Sequence, residues 1–322
     1  MDFHEILALL YFIVPISIAY AAPLIFTAIG GVFSERSGVV NIGLEGLMVM
    51  GAFIGILFNL RYAETFGAWT PWLALLVAMV VSALFSIMHA VASITFRADQ
   101  TVSGVAINML GIAIALFTVK MIYGKGQTDF IQQSIPRFNV PVLQDIPFIG
   151  PLFFKGIYGS SLLAIGVAIL AWFIIYKTPF GLRLRSVGEH PMAADTMGIN
   201  VAKIRYIGVI ISGGLAGIGG AIYSQTMTND FGHATINGQG FMALAAMIFG
   251  KWHPIGAMGA ALFFGFAQAL AISAPGIPFL ANVPTVYLHI LPYVLTILAL
   301  AGFIGRANAP KASGQPYIKG NR

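Results

Sequence analysis

One carboxylate stands out near the start of this chain. Glu45 lies within GGVFSERSGVVNIGLEGLMVMGAF, from Gly30 to Phe53, where its neighbours are apolar enough to cross a bilayer. Placing a carboxylate at the centre of a membrane helix costs about 2.5–3.5 kcal/mol on insertion scales, so such a group faces a bundle interior, a partner charge or a water-filled path. Asn41 precedes it by four residues and shares its face on a helix, while Gly43 and Gly46 allow close backbone approach or local unwinding. The grouping suits a pore or a polar substrate path. The competing reading is a carboxylate hydrogen-bonded to a neighbouring helix, which would fix packing alone. Other polar groups in apolar surroundings are His89, Asn108, Gln225, Gln239, Gln268 and His289, each equally able to form an interhelical hydrogen bond.

Other chemistries find little support. Glu45 has no acidic or basic partner in another apolar run, and neither H-E-x-x-H nor a serine-centred motif occurs, so no catalytic residue is assigned. The two intramembrane histidines lack a carboxylate at ligand spacing, so no metal is assigned. Cysteine is absent, which removes disulfides and thiolate chemistry.

The elements that must position these groups are membrane helices. Of 322 residues, 58% are hydrophobic and 9% charged. The apolar residues fall into runs near the roughly 20 residues that a helix needs to cross a hydrocarbon core. The runs are Ile6 to Ile29, Gly38 to Leu60, Pro71 to Phe96, Thr101 to Val119, Ser160 to Tyr176, Tyr206 to Gln225, Gly238 to Gly250, Ile255 to Ser273 and Thr285 to Gly305. The first is taken as a span, not a signal peptide, because Asp2 and Glu5 precede it and no Lys or Arg comes before Arg36. The expected fold is all-α: one polytopic transmembrane domain over 1–322 with about nine spans. The run from Gly238 to Gly250 is short and could be half of a broken or re-entrant element.

Counting it as a crossing, with the N-terminus outside, leaves only Arg61, Lys120, Lys125, Arg137 and Lys155 outside among 17 basic residues. The tail over 305–322 is then cytoplasmic, as the positive-inside rule favours. Topology and contact with anionic lipid thus account for the net charge of +6 without nucleic acid. A later segment partly repeats the first: Gly43, Leu47 and Met50 align with Gly240, Leu244 and Met247. Crossing in opposite directions, the two suggest an inverted repeat around a midplane site, with shared helix-packing chemistry as the alternative. The run GGLAGIGGA from Gly213 to Ala221 reads as packing.

Two connections are long. The outer one, 120–159, carries four prolines and reads as ordered turns over the outer mouth. The inner one, within 177–203, holds KTPFGLRLRSVGEHPMAADTMGIN. Pro191 suits a first helical position, Ala193 and Ala194 favour helix, and Gly198 can close it in the left-handed conformation. A short helix with a small surface and charged flanks suits a groove on a protein partner. An amphipathic element resting on lipid is the alternative, but Glu189 to Asp195 lacks the large apolar face that would need.

Three segments, SERSGVVNIGLEGLMVMGAF, FGLRLRSVGEHPMAADTMGIN and GQGFMALAAMIFGKWHPIGA, together resemble permease subunits of bacterial nucleoside and simple-sugar ABC importers. These sit in the wider group of ribose and branched-chain amino acid permeases. The likeness covers Gly30 to Gly259, and the first of the three segments looks closest to the nucleoside branch. It implies a multi-pass plasma-membrane subunit working with a second permease, cytoplasmic ATP-binding subunits and an extracellular substrate-binding lipoprotein. Gly181, Glu189, His190, Pro191, Ala194, Asp195 and Gly198 would form the element that couples to the ATPase. The chain has no G-x-x-x-x-G-K-[ST] loop, so ATP and Mg would be bound by the partner. For a nucleoside, Asn41, Glu45, Asn108 and Gln239 are the polar candidates along the path, with Tyr223 and Phe241 for stacking. A simple-sugar permease is the alternative within the family. A stand-alone proton-coupled transporter using Glu45 is the alternative outside it.

Overall fold

A chain this apolar buries its backbone polarity in helices, because hydrocarbon offers no other hydrogen-bond partner. The computed structural model describes residues 3–274 and 309–319, together with Val283, Tyr287, Ile290 and Val294. In order, its helices are α1 (Phe3–Arg36), α2 (Leu44–Phe66), α3 (Thr70–Ala90), α4 (Gln100–Tyr123), α5 (Ile149–Phe153), α6 (Gly159–Lys177), α7 (Pro179–Glu189), α8 (Pro191–Thr196), α9 (Val201–Tyr223), α10 (Gln239–Phe249) and α11 (Pro254–Ser273). Two short antiparallel strands, β1 (Arg137–Phe138) and β2 (Ile157–Tyr158), pin the long connection over 120–159, with Arg137 opposite Tyr158.

Six helical stretches in the described residues are long and apolar enough to span a membrane. The expected count of nine is therefore not reproduced, for three reasons. The stretch Leu44–Thr95 is continuous over 52 residues. Straight, it would measure roughly 78 Å; a bend at Gly67, whose φ of +50° suits glycine, folds it into the hairpin of α2 and α3. The short run yields the 11-residue α10. Most of the run from Thr285 to Gly305 lies outside the described residues.

The run GGLAGIGGA makes α9 the helix around which others gather. A Cβ on Gly213 or Gly217 would lie 2.4 Å from the side chain of Ser86 or Ser82 in α3, and one on Gly220 would lie 1.9 Å from the Met48 carbonyl of α2. Gly219 faces Thr27 of α1 in the same way. Any side chain at these positions would push three helices apart, so the small residues set the helix spacing.

Contacts also sort the connections into two ends. At one end Arg36, the α7–α8 loop, Trp252 and the tail meet: the Arg36 Nε donates to the Trp252 carbonyl at 2.9 Å, and the Ala312 amide donates to the Gly188 carbonyl at 2.9 Å. At the other, Gln127 pairs with Gly232, Asn59 donates to the Gln133 carbonyl at 2.6 Å and Tyr158 to that of Thr226 at 3.4 Å.

Candidate functional site

Two helices start abruptly, after irregular chain, and their starts touch. The chain leaves α1 through turns and irregular backbone over 37–43 before α2 begins at Leu44, and it runs irregularly over 229–238 before α10 begins at Gln239. A Cβ on Gly240 would lie 2.5 Å from the Glu45 Cα, which measures how closely the two first turns approach. Glu45 Oε1 accepts from the Gly238 amide at 2.6 Å and Oε2 from the Gly240 amide at 2.6 Å. The carboxylate on α2 therefore caps α10, supplying the acceptors its first turn lacks and a negative charge at the positive end of its dipole.

The irregular segment before α2 is satisfied the same way. The Gln100 side chain accepts from the Val40 amide at 2.7 Å, and the His89 Nε2 lies 2.9 Å from the Val40 carbonyl. Asn108 accepts from the Gly46 amide at 2.7 Å and donates to the Ile42 carbonyl at 3.0 Å, clamping α4 to the turn. Asn41 donates to Ser212 on α9 at 2.9 Å and accepts from the Gly43 amide at 3.1 Å. Irregular backbone inside a membrane protein survives only with such partners.

Asn41, Glu45 and Asn108 are thus brought together, all buried, with their polar atoms directed at backbone except for the Asn41 amide that donates to the Ser212 hydroxyl. Gln239 begins α10 and accepts from Gln268 of α11 at 3.2 Å. Phe241, half-exposed at 50%, lies on the outside of the same turn. Tyr223 sits apart, at the C-terminal end of α9, edge-on to Tyr20 with ring centroids 6.5 Å apart. His289 falls outside the described residues. Sequence reasoning passed over Gln100 and Ser212 because each looks like ordinary polar decoration of a helix. Among the described residues no cluster of three or more His, Asp or Glu side chains could hold a metal ion.

At the other end of α10, the chain turns through Lys251 and Trp252, both with positive φ of 55° and 53°. The Trp252 indole donates to the buried Glu35 carboxylate at 2.5 Å. Arg36 grips the same turn and comes within 3.9 Å of Glu189, tying α7 to it. Just outside α11, His253 packs on Tyr176; burial first, and then the Arg36 cation, hold its pKa below the usual imidazole value.

The α7–α8 loop has Pro191 in the first turn of α8 and Gly198 at φ +81°, as its sequence requires. Gly181 is buried against α6, where a Cβ would lie 2.2 Å from the Ile174 carbonyl. Ala194 is only 4% exposed and joins the apolar core. It therefore lies beneath the loop surface and not on it, because the α8 turn points it back toward the membrane helices. The outward residues include His190, Met192, Ala193 and Met197, the last 82% exposed. Glu189 and Asp195 are partly buried in ion pairs with Arg36 and Lys319.

Six membrane-length apolar helices, packed through small residues, define a multi-pass membrane protein. Residues 14–300 match the family described as "Branched-chain amino acid transport system / permease component", and the chain belongs to it. It is 63% identical over 322 residues, all of both chains, to the guanosine ABC transporter permease protein NupQ of Bacillus subtilis. It is 52% identical over 310 residues, 96% of this chain and 98% of the relative, to the nucleoside ABC transporter permease protein NupC of Lactococcus lactis subsp. cremoris. A second Bacillus subtilis guanosine permease protein, NupP, is 24% identical over 293 residues, 89% of this chain and 80% of its own.

Proposed function

We propose that this chain is the nucleoside permease subunit of an ATP-driven importer in the plasma membrane. The observation that carries this is end-to-end identity of 63% with a guanosine permease and 52% with a nucleoside permease. ATP and Mg are assigned to a cytoplasmic partner, and the chain forms half of the path. Two guanosine permeases of one organism match this chain at very different levels, which supports a pair made of this subunit and a diverged second one. An extracellular lipoprotein would deliver the nucleoside.

In this mechanism the loop 177–203 receives the movement of the ATPase, and Arg36 passes it from Glu189 to the Lys251–Trp252 turn. The α10 helix then moves against its cap at Glu45, changing access along the face that carries Phe241. The meeting of two helix starts at Glu45 supports an inverted repeat of the α2 and α10 regions. A proton-carrying role for Glu45 fits less well, because both oxygens already accept backbone amides.

Affinity purification from the native membrane, followed by mass spectrometry and uptake of labelled nucleosides, tests this. Recovery of an ATP-binding subunit, a second permease and a lipoprotein that binds nucleosides is the expected outcome. Uptake by the purified chain alone, without ATP, would refute it.

A further inference from the structure

The described part of the tail lies along the inner loop instead of projecting from it. Ala312 is buried, with its amide on the Gly188 carbonyl at 2.9 Å. The Lys319 ammonium lies 3.7 Å from Asp195, whose carboxylate also accepts from the Tyr317 hydroxyl. Arg205 on α9, 1% exposed, donates from Nη1 to the Gln315 carbonyl at 2.9 Å, and its Nε and Nη2 have no partner among the described residues. A buried guanidinium needs its acceptors, so this carbonyl ties the tail to α9.

Held there, the tail and α8 enclose a groove of about 520 Å³. Met192 and Ala193 line one wall, Pro316 and Ile318 the other, with His190 and Lys311 at the rim. Tyr317 divides it from a second cavity of about 490 Å³ that reaches Arg97 and Asn200. The acids here are already engaged: Glu189 by Arg36, Asp195 by Lys319, and Asp99 in capping α4. Arg97 and Lys311, which line these cavities, are exposed, and the charged end of neither side chain is paired with an acid among the described residues. Apolar walls beside uncompensated positive charge fit a protein segment with apolar side chains flanked by carboxylates.

We propose that tail residues 310–319 form the second wall of the socket that receives the ATP-binding subunit, with Arg205 as the positioning residue that sets that wall. This rests on the reading of 177–203 as the coupling loop. A concave socket suits a protein segment better than a membrane surface, since α8 lacks a large apolar face.

The test places the full chain, with its partner permease, in nanodiscs of zwitterionic lipid and titrates the purified ATP-binding subunit. Ile318 is exposed, so Ile318→Asp leaves the fold intact, as an unchanged thermal transition would verify. The variant should weaken ATPase binding by about tenfold or more, through loss of an apolar contact and repulsion of the partner's acids. Arg205→Gln should weaken it too, and proteolysis should release the tail. Ala193→Arg serves as the control on the coupling loop. Normal binding by Ile318→Asp beside failure of Ala193→Arg would overturn the tail proposal alone. Normal binding by both would overturn the coupling-loop reading itself. An effect of Ile318→Asp confined to anionic vesicles would make the tail a lipid contact and overturn the proposal.

Discussion

Replacing Glu45 with glutamine separates a helix cap from a group on the transport path. Both carboxylate oxygens accept amides of α10 at 2.6 Å. Glutamine keeps one acceptor and turns an NH₂ donor toward the other amide. One charge-assisted bond is lost and one buried donor left unsatisfied, about 2–4 kcal/mol together. Alanine orphans both amides and should cost more. At roughly 2 °C per kcal/mol for a chain of this size, Glu45→Gln should lower the thermal transition by about 4–8 °C. Hydrogen exchange at Gly238 and Gly240 should accelerate, while amides in the middle of α9 stay unchanged. An unshifted transition with unchanged exchange at these two amides would refute the capping argument. If uptake were then lost, the carboxylate would act on the path itself.

Three further outcomes are expected. Ala194→Arg forces a long cation into the core beneath α8 and should lower thermal stability as well as transport, whereas Ala193→Arg on the exposed side should abolish ATP-driven uptake at unchanged stability; similar stabilities for the two would contradict the burial. Arg36→Gln releases the Trp252 carbonyl and Glu189, so ATP hydrolysis should persist with fewer nucleosides carried per ATP; a wild-type ratio would remove Arg36 from the coupling route. His253 has its folded pKa held below the ordinary imidazole value of about 6.5, so its contribution is complete above that pH and is lost as pH falls through the folded value. The thermal transition should therefore drop from pH 7 to pH 5, with a flatter profile in His253→Phe; parallel profiles would show that His253 is not responsible.

The inner loop was legible because its signals are local. Pro191 and Gly198 act on their own backbone, and both behave as their residue types dictate. The glycines of α9 were legible as packing residues, since small side chains in an apolar helix have few other uses. The start of α2 was misjudged: the apolar run opens at Gly38, yet the helix opens at Leu44. Hydropathy cannot distinguish apolar helix from apolar irregular chain, because the difference lies in partners contributed by Gln100, His89, Asn108 and Ser212 from elsewhere in the chain. The same limit applied to Ala194, whose residue type fits either face of α8.

Composition and run length by themselves determined a helical membrane protein, and three ordered motifs determined the resemblance to nucleoside permeases, since both properties are written along the chain. Tertiary structure decided what the polar residues do. Glu45 meets Gly238 across 193 positions and Arg205 meets Gln315 across 110. Neither pairing has a local signal: a buried polar group announces that it needs a partner, and only the packing of helices decides which one it finds.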